Sequence, residues 1–275
     1  MIDKRGLGQL GLLVAALPWA ALLAGAITVS GCATPQAEPG RDSVVTEFDE
    51  PESRKRARLR MELAVGYFEQ GKTNIALDEL KQVIAIDPVF PDAYNLRGLI
   101  YMQLNDPRLA EESFRRAVVL NPGDGNTLHN LGWLHCQQRR FDEADRAFEQ
   151  ALASPLYPGR PKTLMAQGLC QARAGKVDLA ERTLAKAYEL DAGNPIVGYN
   201  LANLLYARGD TPRAQFYIRR LNNTELANAE TLWLGIKVER KLGDRLAMAQ
   251  LVEQLKKRFP RSREVASLEK GSFDE

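Results

Sequence analysis

The sequence predicts an all-α protein, a right-handed superhelical solenoid of about six helix hairpins. The first observation is a fixed period, because Ala76, Ala110 and Ala144 each lie 34 residues from the next. The second is a series of helix breaks in the same frame, at glycines such as Gly175 and at pairs such as Asp87-Pro88. A period of this length is typical of repeat architectures, in which supersecondary units stack and bury one continuous core.

Aligning the chain on this period divides most of it into similar units. Six units follow, at residues 57–90, 91–124, 125–160, 161–194, 195–227 and 228–260. The second unit has nearly the whole signature of the tetratricopeptide repeat, with Gly98, Tyr101, Ala110, Phe114, Ala117 and Pro122. Small residues at the eighth and twentieth positions let the two helices of a hairpin approach closely, while larger ones fill the space beside that contact.

Turn signals occur where these units require them. The first helices are followed by Gln70-Gly71-Lys72, Ala174-Gly175-Lys176 and Arg208-Gly209-Asp210. Their glycines predict left-handed backbone angles, which end helices at low steric cost. Asp87-Pro88 and Asn121-Pro122 predict the ends of second helices, because proline disfavours helix at the residue before it.

The N-terminus has the pattern of a lipoprotein signal peptide over residues 1–31. Lys4 and Arg5 precede an uncharged run, residues 7–29, which ends at Val29-Ser30-Gly31-Cys32. Basic, apolar and small-residue regions in this order indicate a secretory signal, and the last four residues resemble a bacterial lipobox with Cys32 as the acylated residue. A retained transmembrane helix is the alternative, since about 20 apolar residues cross a bilayer.

The segments on either side of the repeats are predicted to be irregular. Residues 32–56, which begin with the acylated Cys32, are rich in proline and acidic residues and predict a flexible linker. Residues 261–275 are predicted to be a C-terminal tail. Ala33 follows the cysteine, and by resemblance to lipoproteins of Gram-negative bacteria this implies sorting to the outer membrane, with acyl chains as the anchor.

The concave surface of such a solenoid comes mainly from the first helix of each unit, and its N-terminal part is apolar. The predicted partner-binding groove consists of Met61, Val65, Phe68, Leu99, Met102 and Trp133. Thioethers beside aromatic rings suit a surface that accepts an apolar peptide. The alternative is that some of these side chains lie under the next helix, because helical spacing often marks core. Unit six is predicted to be charged in the groove, at Glu239 and Arg240.

Composition argues against several other classes of protein. The formal net charge is +2, with 37 basic and 35 acidic residues interspersed along the chain. The protein therefore has no strong positive electrostatic field that would favour binding of nucleic acid. We expect no catalytic residues, metal, cofactor or small-molecule substrate, because the chain lacks a phosphate loop, a nucleophile elbow and zinc-ligand spacing. His129 and His135 are six residues apart and point to different faces of one helix.

Three further expectations concern these histidines and the cysteines. His135 takes a core position and is expected to be buried and hydrogen-bonded. His129 and Cys136 fall at groove positions of unit three. Cys136 and Cys170 lie at different positions of adjacent units, so we expect them to point apart, although an oxidising compartment would permit a disulfide.

The combination of features resembles one family of repeat lipoproteins. It comprises the lipobox, six repeats, a two-residue insertion containing Leu156-Tyr157-Pro158, and Leu232-Trp-Leu-Gly-Ile236 at the start of the last unit. These are similar to the type IV pilus biogenesis/stability lipoproteins, PilW/PilF, the pilotins of the pilus secretin. The resemblance implies a protein that binds the secretin subunit, promotes its outer-membrane localisation and multimerisation, and is needed for twitching motility.

Two other functions remain open at the level of sequence. One is a repeat lipoprotein that acts as an adaptor for periplasmic cell-wall or outer-membrane assembly enzymes. The other is a structural anchor without a client, which predicts a polar groove. Fold alone does not decide between these functions, because solenoids of one family hold many different partners.

The lipobox interpretation predicts a simple processing defect. Replacing Cys32 by serine removes the thiol that accepts the diacylglyceryl group, so Cys32→Ser is expected to accumulate as an unprocessed precursor without acyl label. Gel mobility and radiolabelled palmitate incorporation measure both effects. Normal labelling of the Cys32→Ser variant contradicts the interpretation, and Cys136→Ser is a control that should be processed normally.

Overall fold

A computed structural model describes residues 50–273, and these are almost entirely helical, with no strand. Thirteen α-helices follow one another: α1 Glu52–Glu69, α2 Thr73–Ile86, α3 Pro91–Gln103, α4 Pro107–Leu120, α5 Gly125–Gln137, α6 Phe141–Leu152, α7 Arg160–Arg173, α8 Val177–Leu190, α9 Pro195–Ala207, α10 Thr211–Asn222, α11 Ala229–Leu242, α12 Arg245–Arg258 and α13 Arg263–Lys270. Cys32, the predicted signal peptide and the predicted linker up to residue 49 lie outside the described residues. Among residues 50–273, no helix has the length and apolar content to span a bilayer.

The first twelve helices form six hairpins, each of which packs against the next. In every hairpin the odd-numbered helix pairs with the following even-numbered one, and the odd-numbered helices also contact the preceding hairpin. This confirms the predicted all-α repeat solenoid of six hairpins. Because each unit touches mainly its neighbours, the hydrophobic core continues along the array instead of forming one central body.

Close contact within the hairpins depends on small residues, as the sequence predicts. A Cβ atom added to Gly98 would lie 2.5 Å from the Phe114 ring, and one added to Gly132 would lie 2.8 Å from Phe148. Both phenylalanines are completely buried, and so is Ala110, which packs beside Phe114. The glycine therefore forms the seat of a large side chain from the second helix.

The turns inside the hairpins share one backbone conformation. Gly71, Gly175 and Gly209 have φ angles of 72°, 74° and 83°, which confirms the predicted left-handed turns. Asn105 and Arg139 occupy the same place in units two and three with φ angles of 58° and 60°. These two turns could not be predicted from the sequence, because residues other than glycine are rare at positive φ.

The helix ends also follow local sequence. Helix α2 ends at Ile86 before Asp87-Pro88, and α4 ends at Leu120 before Asn121-Pro122, which confirms the predicted stops. The carboxylate of Asp124 caps α5 by accepting hydrogen bonds from the backbone N–H groups of Asn126 and Thr127. Such caps satisfy donors that the first helical turn leaves unpaired.

The predicted linker is too long at its C-terminal end, because α1 begins at Glu52 and not at residue 57. Pro51 precedes the helix, and the charged residues after it are good helix formers. Arg54 also anchors this extra turn, since its Nε lies 2.5 Å from the Asp87 carboxylate and its guanidinium 4.9 Å from the Phe90 ring. The contact with unit one thus extends the helix beyond the repeat motif.

The predicted tail is likewise wrong in part, because residues 263–270 form α13. Ser262 caps this helix, and its Val265 and Leu268 pack against the cluster that contains Trp233 and Leu255. The last hairpin of an array has an apolar face that no further unit covers, and α13 covers part of it. The helix has only two turns, too few for a clear periodic pattern in the sequence.

The strained turn of unit three predicts a stabilising substitution. Arg139 has a left-handed backbone, which costs a residue with a Cβ atom roughly 1–2 kcal/mol, while glycine adds flexibility to the unfolded chain. Arg139→Gly is therefore expected to raise the free energy of unfolding by about 0.5–1 kcal/mol. Urea titration of the oxidised protein measures this change.

Arg146→Gly serves as the control for Arg139→Gly. Arg146 is an exposed residue inside α6, so glycine there should lower the free energy of unfolding by about 1 kcal/mol. Equal destabilisation by both variants would contradict the account of the turn.

Candidate functional site

The six residues of the predicted groove lie on the first helices of units one to three. Met61, Val65 and Phe68 are on α1, Leu99 and Met102 are on α3, and Trp133 is on α5; all six are half-buried. They are neither fully exposed nor sealed in the core. Each presents part of its apolar surface to solvent while the remainder contacts the hairpins beneath.

These side chains rest on three adjoining parts of the core. Met61, Val65, Phe68 and Leu99 pack against the buried cluster of units one and two. Leu99 and Met102 pack against the next cluster, which contains Phe114. Leu99 thus connects the two clusters, and the apolar surface continues from unit one into unit two.

Trp133 packs on a separate cluster and is covered on one side. Its neighbours there include Cys136 and Cys170, and the Arg173 guanidinium lies 5.2 Å from the centre of a Trp133 ring. An arginine on an indole face is held by a cation–π attraction. The tryptophan therefore has a fixed position beside a positive charge, and an approaching partner meets both groups.

The expectation that Cys136 and Cys170 point apart is wrong. Their sulfurs form a disulfide between α5 and α7, with the Cα atoms 5.8 Å apart. His129 and Thr163 meet across the same two helices and are also separated by 34 residues. Helices α5 and α7 therefore meet at unlike positions of the repeat, whose unit here is 36 residues long.

His129 does not line the groove as its repeat position predicts. It is buried, and its Nδ1 lies 2.9 Å from Thr163 Oγ1, which is also 3.2 Å from the hydroxyl of Tyr157. Tyr157 belongs to the insertion and packs against Gly125 and Gly159. The insertion thus adds a buried polar group to the contact between units three and four.

Burial determines the charge states of both histidines. Removal from water lowers the pKa of His129 to about 4, and the nearby charge of Lys162 acts in the same direction. Burial likewise lowers the pKa of His135, followed by the effect of Arg140. His135 is buried as expected, but the expectation of full hydrogen bonding is wrong, because its Nδ1 has no partner.

Unit six differs from its predicted role. Glu239 is completely buried and does not face the groove. Arg219 of α10 binds it with Nε 2.6 Å from one carboxylate oxygen and a second nitrogen 2.8 Å from the other. A buried carboxylate requires such paired donors, so this charge joins two units and is not available to a partner.

The described residues hold no group of three or more His, Cys, Asp or Glu side chains that could ligate a metal. The geometry in units one to three supports contact with a protein segment through apolar and aromatic surface, with Arg173 as a nearby cation.

Comparison with known proteins agrees with this architecture. Tetratricopeptide-repeat family models match residues 66–105, 91–124 and 129–195. The chain therefore contains tetratricopeptide repeats.

The repeat protein is also homologous to PilF. It is 28% identical over 239 residues to the type IV pilus assembly protein PilF of Pseudomonas aeruginosa, a match that covers 87% of this chain and 92% of that protein. The solved structure of Pseudomonas aeruginosa PilF superposes with a TM-score of 0.71 at 28% identity and covers 80% of this chain and 100% of that one.

A second solved structure gives a similar result. PilW, described as a widely conserved type IV pilus biogenesis factor, superposes with a TM-score of 0.69 at 28% identity. The match covers 78% of this chain and 98% of PilW. The likeness therefore extends over the whole repeat array and is not confined to one or two generic hairpins.

The buried His129 predicts a pH dependence of stability. Its folded pKa of about 4 lies below the ordinary value of 6.5, so the unfolded chain binds more protons between these values. The contribution to stability is complete above pH 6.5 and is lost as the pH falls towards 4, up to about 3 kcal/mol. His129→Gln keeps a polar contact to Thr163 and should flatten this part of the profile.

Chemical unfolding at several pH values between 4 and 7 measures the effect. His135→Gln is the comparison, since that variant retains the titration of His129. An unchanged slope in His129→Gln contradicts the assignment.

Proposed function

We propose that this protein is a pilotin, a lipid-anchored protein of the outer membrane that binds the type IV pilus secretin subunit. In this role it promotes secretin localisation and multimerisation and is needed for pilus assembly and twitching motility. The observation that carries the proposal is the homology to PilF along nearly the entire length of both proteins. The structural likeness to PilW supports the same role in pilus biogenesis.

The groove of units one to three supplies a means of binding. Met61, Phe68 and Met102 offer flexible or aromatic apolar surface that is half-buried and already fixed by the core beneath. A secretin segment with apolar side chains would lose little conformational freedom of the pilotin on binding, because the receptor surface is preorganised. Thioethers can adjust to side chains of different shape.

The proposed binding is non-enzymatic and requires no cofactor. A repeat scaffold presents an extended surface, and covering the apolar parts of a secretin subunit before assembly needs only reversible contact. The lipid anchor at Cys32 would deliver the bound subunit to the membrane, where several acyl chains hold a protein more durably than one.

The proposal predicts a separation of binding from folding. Phe68→Glu and Trp133→Glu each place a charge in the groove and should weaken binding to purified secretin subunit at least tenfold, because apolar contact is lost and a carboxylate is desolvated. Val119→Glu, at an exposed position of α4, is the matched control and should bind normally. Circular dichroism establishes that each variant is folded.

The same variants are tested in cells that lack the wild-type gene. Deletion should abolish secretin multimers in outer-membrane fractions and twitching, and the groove variants should restore neither. Normal multimers after deletion would contradict the pilotin role. Normal binding by a folded Phe68→Glu variant would contradict the groove.

A further inference from the structure

A small cavity lies away from the groove, between helices α8, α9 and α10. It measures about 200 Å³, and we call it the tyrosine cavity because Tyr188 and Tyr217 line it, together with Gly198, Arg220 and Leu221. The two tyrosine rings meet edge to face, with centroids 4.9 Å apart. Its walls are thus aromatic and fixed by packing.

Gly198 forms an open part of this wall, in contrast to the glycines of the hairpin contacts. A Cβ atom on Gly198 would have one neighbour within 4 Å, Tyr188 Cε2 at 3.8 Å, whereas one on Gly98 would collide with the Phe114 ring at 2.5 Å. Packing within the solenoid therefore does not require glycine at position 198. The missing side chain leaves room for a group from outside.

Exposed apolar residues also lie near the cavity in the chain. Phe216 is 58% exposed and its ring meets the Tyr217 ring at 5.1 Å. Ile196 and Leu226 are also exposed, and their backbone N–H groups donate to Asn194 and Thr224, two residues of the cavity wall. Exposed apolar surface beside a concavity, as at Phe216, is typical of a contact site for another molecule.

Arg220 is the charged side chain of the cavity wall. Its guanidinium lies 5.9 Å from the Tyr188 ring centre, and among residues 50–273 it makes no ion pair. Several other arginines of this region are paired, as Arg219 is with Glu239 and Asp244. An arginine fixed on an aromatic face without a carboxylate is suited to accept one from a partner.

The size and charge of the cavity select its occupant. Pockets for separate small molecules are larger, about 300–1,000 Å³, so this volume suits one bulky side chain. One cationic side chain is not enough to bind nucleic acid, because such binding depends on several contacts to phosphates. Tyrosine and arginine are enriched among the residues that contribute most of the binding energy at protein–protein interfaces.

We propose that the tyrosine cavity is a second docking site, which binds a segment of a partner protein with a bulky apolar side chain next to an aspartate or glutamate. The apolar side chain occupies the cavity between Tyr188, Tyr217 and Gly198. The neighbouring carboxylate accepts hydrogen bonds from the Arg220 guanidinium. This site is independent of the groove and of the secretin proposal.

Selection from a random peptide library tests the site. The full chain, purified in detergent and immobilised, is exposed to a phage library of 12-residue peptides, and the enriched peptides are synthesised. They are expected to share a Leu, Ile, Met or Phe beside an acidic residue. Fluorescence anisotropy should show at least tenfold weaker binding to Gly198→Leu, which fills the cavity, and to Arg220→Gln, which removes the cation.

Matched controls separate the site from general effects. Gly66→Leu makes the same change at another helical glycine with open space beside it, and Lys256→Gln removes an exposed cation from α12. Both should bind the peptides as the wild type does, and so should the groove variant Phe68→Glu. Because Arg220 is exposed, its variant tests the site even if Gly198→Leu fails to fold.

Several outcomes overturn the proposal. These are the absence of enrichment, peptides without an acidic residue, and equal binding by wild type, Gly198→Leu and Arg220→Gln. Sedimentation that changes with Gly198→Leu in the absence of peptide also overturns it, because the site would then join two copies of this chain. None of these results bears on secretin binding, which Phe68→Glu tests separately.

Discussion

The seating of a large side chain on a glycine is the contact on which the rest of the solenoid depends. Phe114 lies on Gly98, Phe148 on Gly132, and Leu184 occupies the corresponding place on Gly168. These contacts fix the distance between the two helices of a hairpin, and the distance determines which side chains are sealed in the core and which remain half-buried. The groove is therefore a consequence of hairpin packing and not a separate structure.

Contacts between hairpins share this continuous apolar core, and polar and covalent links are added to it. The disulfide of Cys136 and Cys170 joins units three and four, and Arg140 binds Glu111 of the preceding unit. Analogous ion pairs join Lys176 to Asp145, and Arg208 to Glu181.

Each of these partly exposed ion pairs contributes little to stability, about 0–1 kcal/mol, and their balance of charges agrees with the formal net charge of +2. Acidic and basic side chains form ion pairs with each other between neighbouring units of the array. What a partner meets in the proposed groove is then mainly apolar surface.

The sequence predicted the parts of this structure that repeat. The period, the small residues of the hairpin contacts and the glycine turns follow from local chemistry, and all recur along the chain. The predictions that are wrong concern residues whose burial or pairing depends on a neighbouring unit. Glu239 takes a groove position in the repeat but is buried and paired with Arg219 of the preceding unit.

The disulfide between Cys136 and Cys170 could not be predicted for a related reason. The position of a residue within a repeat predicts which face of its helix the residue lies on. A disulfide between units depends in addition on how their two helices pack against each other. The ends of the array, α13 and the first turn of α1, follow contacts that no repeat motif encodes. The candidate groove could be named from spacing, but the tyrosine cavity could not, because it exists only where α8, α9 and α10 meet.

Equilibrium unfolding of two alanine variants tests directly whether the contacts between glycine and a large side chain set the distance between the helices of a hairpin. Gly132→Ala places a methyl group 2.8 Å from the Phe148 ring, while Gly66→Ala adds the same group in α1 with no atom within 4 Å. Urea titration should show Gly132→Ala less stable by about 1–3 kcal/mol and Gly66→Ala more stable by about 0.5–1 kcal/mol. Equal stabilisation of both variants would contradict the account, because the glycine would then be dispensable to the contact.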